Sequence, residues 1–240
     1  MKKILLSAVL TLSLFAFDKV LPQKETLEIL KSTPLYNQLK SIKNAKYKAV
    51  KKDGFYIIEV DTPRGKALLY VTADKKYTIL GKVIDKNGKI LTPNFPKNTK
   101  IIKEGVMFTF GKGNKDLYLV TDPECPFCRM MEKKKKDILN KNYRVHVILM
   151  PLSFHKNAKP MSYYILAGKT DEERAKRMKE VLSGDKAWKN FHPTNEQIKK
   201  FEEELKKAKK AATELGAQGT PSVYDNNFSP VPWPSLGEKK

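Results

Sequence analysis

The chain has 240 residues, 40% of them hydrophobic, with a formal net charge of +21 and two cysteines. That length supports two modest domains with cores of their own, and two cysteines exclude a miniprotein stapled by several disulfides. Its 47 Lys and Arg could favour acidic clients, anionic membrane surfaces or nucleic acid, but they are scattered over every segment and not gathered with aromatics into one stripe, so the charge reads as a solvated surface, and the export expected from the N-terminus leaves no nucleic-acid partner expected.

Met1-Lys2-Lys3 ahead of the apolar run Ile4 to Phe17 has the charged start and short apolar core of a secretory signal peptide, so residues 1–17 are expected to direct export. Fourteen residues fall short of the roughly 20 needed to span a bilayer as a helix, which makes a permanent anchor the weaker reading. Ala16 suits the end of a signal but Leu14 is large for its position, so an uncleaved N-terminus is the alternative.

Residues 18–90 read as a small helix-plus-antiparallel-sheet domain. Leu27, Ile29, Leu30, Leu35, Leu39 and Ile42 recur at near-helical spacing around Pro34, which predicts two short helices or one broken helix. The period then changes to two, and Phe55 to Val60, Ala67 to Val71 and Tyr77 to Ile84 are predicted strands separated by turn signals, with Asn87-Gly88 marking a tight hairpin. This domain carries no chemical constellation and offers antiparallel strand edges near Tyr56 to Val71, which suits a homodimer. Thr92-Pro93-Asn94-Phe95-Pro96-Lys97-Asn98 opens a linker expected over residues 91–112, with a short amphipathic piece around Ile101 to Phe110.

A third region, residues 113–240, begins with Asp116 to Val120 and resumes an apolar strand at Arg144 to Met150, the two flanking a helical pattern; strand–helix–strand implies a parallel pair. A helical insert is expected over about 152–218, with capping boxes at Thr170/Glu173 and Thr194/Gln197 and a stop at Gly216. Lys133 to Lys136 reads as a solvated helix face, and Trp188 and Phe191 as insert core.

Both cysteines lie in Cys125-Pro126-Phe127-Cys128, where the first strand gives way to the helix. Backbone N–H groups and the helix dipole stabilise a thiolate at a helix N-terminus, so Cys125 is the expected nucleophile of a redox pair. Cys128, one turn inward, is expected to be more buried and less ionised, while Pro126 suits the first turn because its missing N–H has no intrahelical partner there. A purely structural disulfide is the bland alternative, but closing so short a loop restrains the unfolded chain by only about 2 kcal/mol. Zinc is another, with His146, His155 and His192 as further ligands, although these lack paired ligand spacing. No cofactor or metal is expected.

Taken with the N-terminal export signal and sheet-rich module, the motif Thr121-Asp122-Pro123-Glu124-Cys125-Pro126-Phe127-Cys128-Arg129 and the late Gly219-Thr220-Pro221 give a chain that resembles the DsbC/DsbG family of periplasmic disulfide isomerases. The resemblance spans nearly the whole mature chain and implies an α+β architecture: a dimerisation domain, a linker, and a thioredoxin-like catalytic domain split by a helical insert. It implies a cis-proline preceded by threonine beside the cysteines, a role falling to Thr220 and Pro221, with Pro126 and Phe127 completing the client-binding surface. It further implies misoxidised or unfolded exported clients, a membrane thiol reductant similar to DsbD, and a choice among isomerase, reductase, oxidase, repair of sulfenylated cysteines, or a non-catalytic holdase. The C-terminus departs from the family: three prolines within Pro230 to Pro234 forbid regular ladder pairing, and Ser235 to Lys240 is too short for a closing helix.

Overall fold

A computed structural model describes residues 18–63, 65–86, 88 and 90–237. The expected signal peptide and Asn87 lie outside the described residues. Among those described, no helix is long and apolar enough to cross a membrane. The chain divides into two compact units after Pro96.

The first unit places two short helices, α1 (Gln23–Lys31) and α2 (Tyr36–Lys40), ahead of a four-stranded antiparallel sheet. Its strands are β1 (Lys46–Lys52), β2 (Phe55–Thr62), β3 (Gly65–Thr72) and β4 (Thr78–Leu80), in spatial order β1-β2-β3-β4. Alternation sorts the side chains onto two apolar faces. Ala49, Ile58, Leu69 and Val71 join Ile29 and Leu30 of α1, whereas Val50, Ile57 and Tyr70 pack with Phe95 on the other side. Asp18 closes the unit, its Oδ2 accepting from Asn94 N at 2.6 Å and from Lys52 Nζ at 3.1 Å.

Two expectations change here. The segment near Tyr56 to Val71 lies in β2 and β3, both interior to the sheet, so it offers no free edge; β1 and β4 are the edges. The strand expected over Tyr77 to Ile84 shrinks to three residues, leaving Tyr77, Leu80 and Ile84 more than half exposed. An isolated Ile84–Ile90 bridge stands at the expected hairpin.

In the second unit, α3 (Thr99–Glu104) and β5 (Phe108–Phe110) precede β6 (Lys115–Thr121), α4 (Pro126–Asn142) and β7 (Tyr143–Leu149). There follow α5 (Ala158–Leu166), α6 (Asp171–Ser183), a 3₁₀ turn at Ala187–Asn190, α7 (Asn195–Leu215), β8 (Ser222–Tyr224) and a final 3₁₀ turn at Trp233–Ser235. The strands run in the order β5-β7-β6-β8; β6 and β7 are parallel and the two outer pairs antiparallel. Covered on both faces, the central pair reads as continuous apolar sequence, including Leu117, Leu119 and Val120 on β6 and Val145, Val147 and Ile148 on β7. At its outer end Asp116 faces Arg144, whose guanidinium forks onto the carboxylate at 2.6 and 2.9 Å and, by that hydrogen bonding, holds the Asp116 pKa down at about 2.

The linker expected over 91–112 is therefore shorter, and the second domain begins earlier than 113. Residues 97–112 belong to the second unit because Ile102, Phe108 and Phe110 are core side chains and β5 pairs with β7. The insert is helical throughout its three main segments. Thr194 and Gln197 form a reciprocal capping box, whereas at α6 Thr170 caps Glu173 N but the Glu173 carboxylate turns to Lys169 N. Gly105, ending α3, lies so close to α7 that a Cβ there would come within 2.3 Å of Ala211 Cβ and 2.9 Å of Lys207 O. Gly105→Ala is expected to destabilise the second unit by about 1–3 kcal/mol. Both tryptophans, Trp188 and Trp233, lie in that unit, so the denaturant midpoint of tryptophan fluorescence, at unchanged slope, checks it.

Candidate active site

The loop between β6 and α4 is built around Asp122. Its side chain is fully buried, which is costly for a carboxylate unless every oxygen is engaged. Oδ1 accepts from Glu124 N at 2.7 Å and Cys125 N at 3.2 Å; Oδ2 accepts from Leu152 N at 2.7 Å and lies 2.9 Å from His155 Nδ1. One side chain thus folds the cysteine loop and clamps the segment after β7 against it. Glu124 repeats the clamp, accepting from Asn157 N at 2.6 Å and Asn157 Nδ2 at 2.8 Å. Burial works against its ionisation, but these bonds outweigh it and leave the Glu124 pKa below the ordinary carboxylate value.

On this frame Cys125 is the N-cap of α4 and Pro126 its first residue, so no hydrogen bond is lost to the proline. Both cysteines are free thiols and both are buried. Their surroundings differ. Cys125 Sγ donates to Thr220 O at 3.3 Å, and the Thr220–Pro221 peptide bond is cis. Cys128, inside the helix, has its thiol pKa pushed up to about 12, chiefly by burial; contacts with Asp122 backbone, Thr121 and Thr220 offset only part of this, and neighbouring Cys125 adds to it. Pro126 is exposed, Phe127 is 60% exposed, and Thr220 and Pro221 are half-buried. The six residues picked out by sequence, Cys125, Pro126, Phe127, Cys128, Thr220 and Pro221, therefore gather where β6 ends and β8 begins.

Sequence reasoning missed the clamp. Asp122 and Glu124 were visible in the motif, but their partners Leu152, His155 and Asn157 come from a loop whose position is set by tertiary structure. The histidines offered as zinc ligands are dispersed: His146 lies against Asp116 and Thr109, His155 against Asp122, and His192 is exposed. Among the described residues no group of three or more His, Cys, Asp or Glu is placed to hold a metal ion.

Because the folded Cys128 thiol keeps its proton until about pH 12, its alkylation in the Cys125→Ala variant is expected to rise about tenfold per pH unit through pH 7–10 without a plateau. A plateau at an ordinary thiol pKa in an iodoacetamide rate profile would contradict the assigned environment.

The sequence family matching this chain is described as a thioredoxin-like domain, over residues 109–225. No curated protein matches the chain. Similar solved structures include DsbG of Helicobacter pylori, at 16% identity over 80% of this chain and 98% of that one, with a TM-score of 0.40. Others are the thiol-disulfide exchange protein alpha-DsbA2 of Wolbachia pipientis (14%, 57% and 89%, TM-score 0.44) and a periplasmic thioredoxin-like protein of Salmonella enterica serovar Typhimurium (17%, 59% and 94%, TM-score 0.43). With a parallel β6–α4–β7 unit, flanking antiparallel strands, a thiol pair at the start of α4 and this family match, the second unit has the fold of a thioredoxin-like domain.

Proposed function

We propose that the protein is a thiol–disulfide interchange enzyme of the DsbC/DsbG kind, acting on misoxidised exported proteins. The observation that carries this reading is the inequality of the two thiols: Cys125 at the helix N-terminus against Cys128, held protonated by burial.

Cys125 as thiolate attacks one sulfur of a client disulfide; the client S–S bond breaks, a Cys125–client disulfide forms, and the second client sulfur leaves as a thiolate. Two exits follow. A client thiolate attacks the mixed disulfide, restoring Cys125 and leaving the client rearranged with no net change in oxidation. Alternatively Cys128 loses its proton and attacks Cys125, releasing a client thiol and oxidising the pair, which a DsbD-like membrane reductant would have to re-reduce. A thiol that ionises only near pH 12 resolves slowly, which gives the first exit time. Client main chain is accommodated beside Thr220 and Pro221, with the exposed Phe127 ring offering apolar contact. Residues 1–17 supply export to the periplasm.

Cys125→Ala is expected to slow rearrangement of a scrambled-disulfide client by about a hundredfold or more. Cys128→Ala should accumulate mixed disulfides on non-reducing gels yet keep rearrangement wherever free client thiols are present. Full activity in Cys125→Ala would overturn the mechanism. We further propose a homodimer through the β4 edge, where Tyr77, Leu80 and Ile84 are exposed. Light scattering at micromolar concentration should give twice the chain mass, and Leu80→Lys should shift it towards monomer; a wild-type monomer would remove the proposal.

A further inference from the structure

Next to the thiol pair, the outward face of α4 meets α6 and β5 around a groove of about 1790 Å³. Eight lysine and arginine side chains line it against three glutamates, so its field favours anions. Local pairing consumes little of that charge: among the described residues the one ion pair within the lining is Lys176 with Glu180, at 4.0 Å. Among the described residues Arg129, Lys133 and Lys136 make no ion pair. On the opposite wall Lys179 is held in place, its Nζ 3.0 Å from Asn140 Oδ1 and 5.2 Å above the Phe110 ring.

Two of the lining residues also carry a polar atom with no hydrogen-bond partner among the described residues. Arg129 Nε is a buried donor without an acceptor, and Glu132 Oε1 a buried acceptor without a donor; Glu132 as a whole is only 8% exposed. Burial raises the Glu132 pKa, and Lys179 and Lys136 offset part of that rise. Leaving such groups unpaired is costly. Three residues apart, they are neighbours on one face of α4. An extended main chain offers what both lack, a C=O for Arg129 and an N–H for Glu132.

We infer that this groove binds an extended, acidic polypeptide segment, its carboxylates meeting Lys133 and Lys136 and its main chain meeting Arg129 Nε and Glu132 Oε1. A concave surface with main-chain complements fits a peptide better than a flat anionic bilayer. Because Arg129 directly follows Cys128, the segment would be the stretch of client flanking the disulfide under attack; that identity rests on the thiol-exchange reading, whereas the binding does not.

Fluorescence anisotropy with the whole reduced protein tests it. The probe is a labelled, cysteine-free peptide of alternating glutamate and valine, with a lysine–valine counterpart. The acidic peptide should bind saturably and the basic one should not. Lys133→Glu with Lys136→Glu should weaken binding by about tenfold or more, and Arg129→Gln should weaken it with less change in salt dependence. Lys206→Glu with Lys210→Glu, an equal charge change on the exposed face of α7, should alter binding less than about twofold. Equal loss in both charge-reversal variants, or equal binding of inorganic polyphosphate or phosphatidylserine vesicles through the same residues, would overturn the inference. Wild-type protein that exchanges a small aromatic disulfide but leaves the acidic peptide unbound would overturn the groove alone; peptide binding without exchange would overturn the enzymatic reading alone.

Discussion

The architecture of the site depends on one buried carboxylate. Asp122 receives three backbone N–H groups and faces His155, and those partners come from two segments, the cysteine loop and the stretch after β7, that are far apart in sequence. Removing it would leave the buried Cys125 N–H unmatched, at about 1–3 kcal/mol, and strip two part-buried N–H groups of their acceptor, all where the geometry of Cys125 is set. The thiol is thus located by backbone groups that converge on a third party, together with its own bond to Thr220 O. Glu124 extends the arrangement by one anchor, so the residues on either side of Pro123 face the same loop.

Much of this architecture was legible in the sequence, for identifiable reasons. Period-two alternation gave away β2 and β3, continuous apolar runs gave away the parallel pair, and Thr194-Gln197 and Gly216 marked the ends of α7 because capping chemistry is local. What was not legible was set by distant partners. β1 is more than half lysine, and only Ala49 and Val50, buried on opposite faces, reveal it as a strand. α3 and β5 read as an extension of a linker because each is short, and both earn their structure from contacts with α7 and β7. Of the site, the two cysteines and Thr220-Pro221 were readable from residue type and spacing; the Asp122 clamp was not, since no local pattern ties it to Leu152 or His155.

The run Lys133 to Lys136 on α4 illustrates how one motif divides by orientation. Lys133, Lys134 and Lys136 are exposed, as a solvated face requires. Lys135 points elsewhere: its Nζ donates to Pro234 O at 2.6 Å and Leu236 O at 2.8 Å. That ammonium therefore joins the helix bearing the thiols to the last described residues, where Val231 and Trp233 pack against the core and Leu236 is buried.

Among the described residues that terminal strap continues beyond β8 through a Tyr224–Pro230 bridge and the 3₁₀ turn at Trp233–Ser235, and its composition bears on its thermodynamics. Pro230, Pro232 and Pro234 each fix one backbone torsion before folding begins, so the unfolded tail samples fewer conformations than a flexible tail of equal length. Ordering it against α4 consequently forfeits less chain entropy. A few apolar contacts and one ammonium suffice to hold in place a segment that, rich in glycine or serine, would fray.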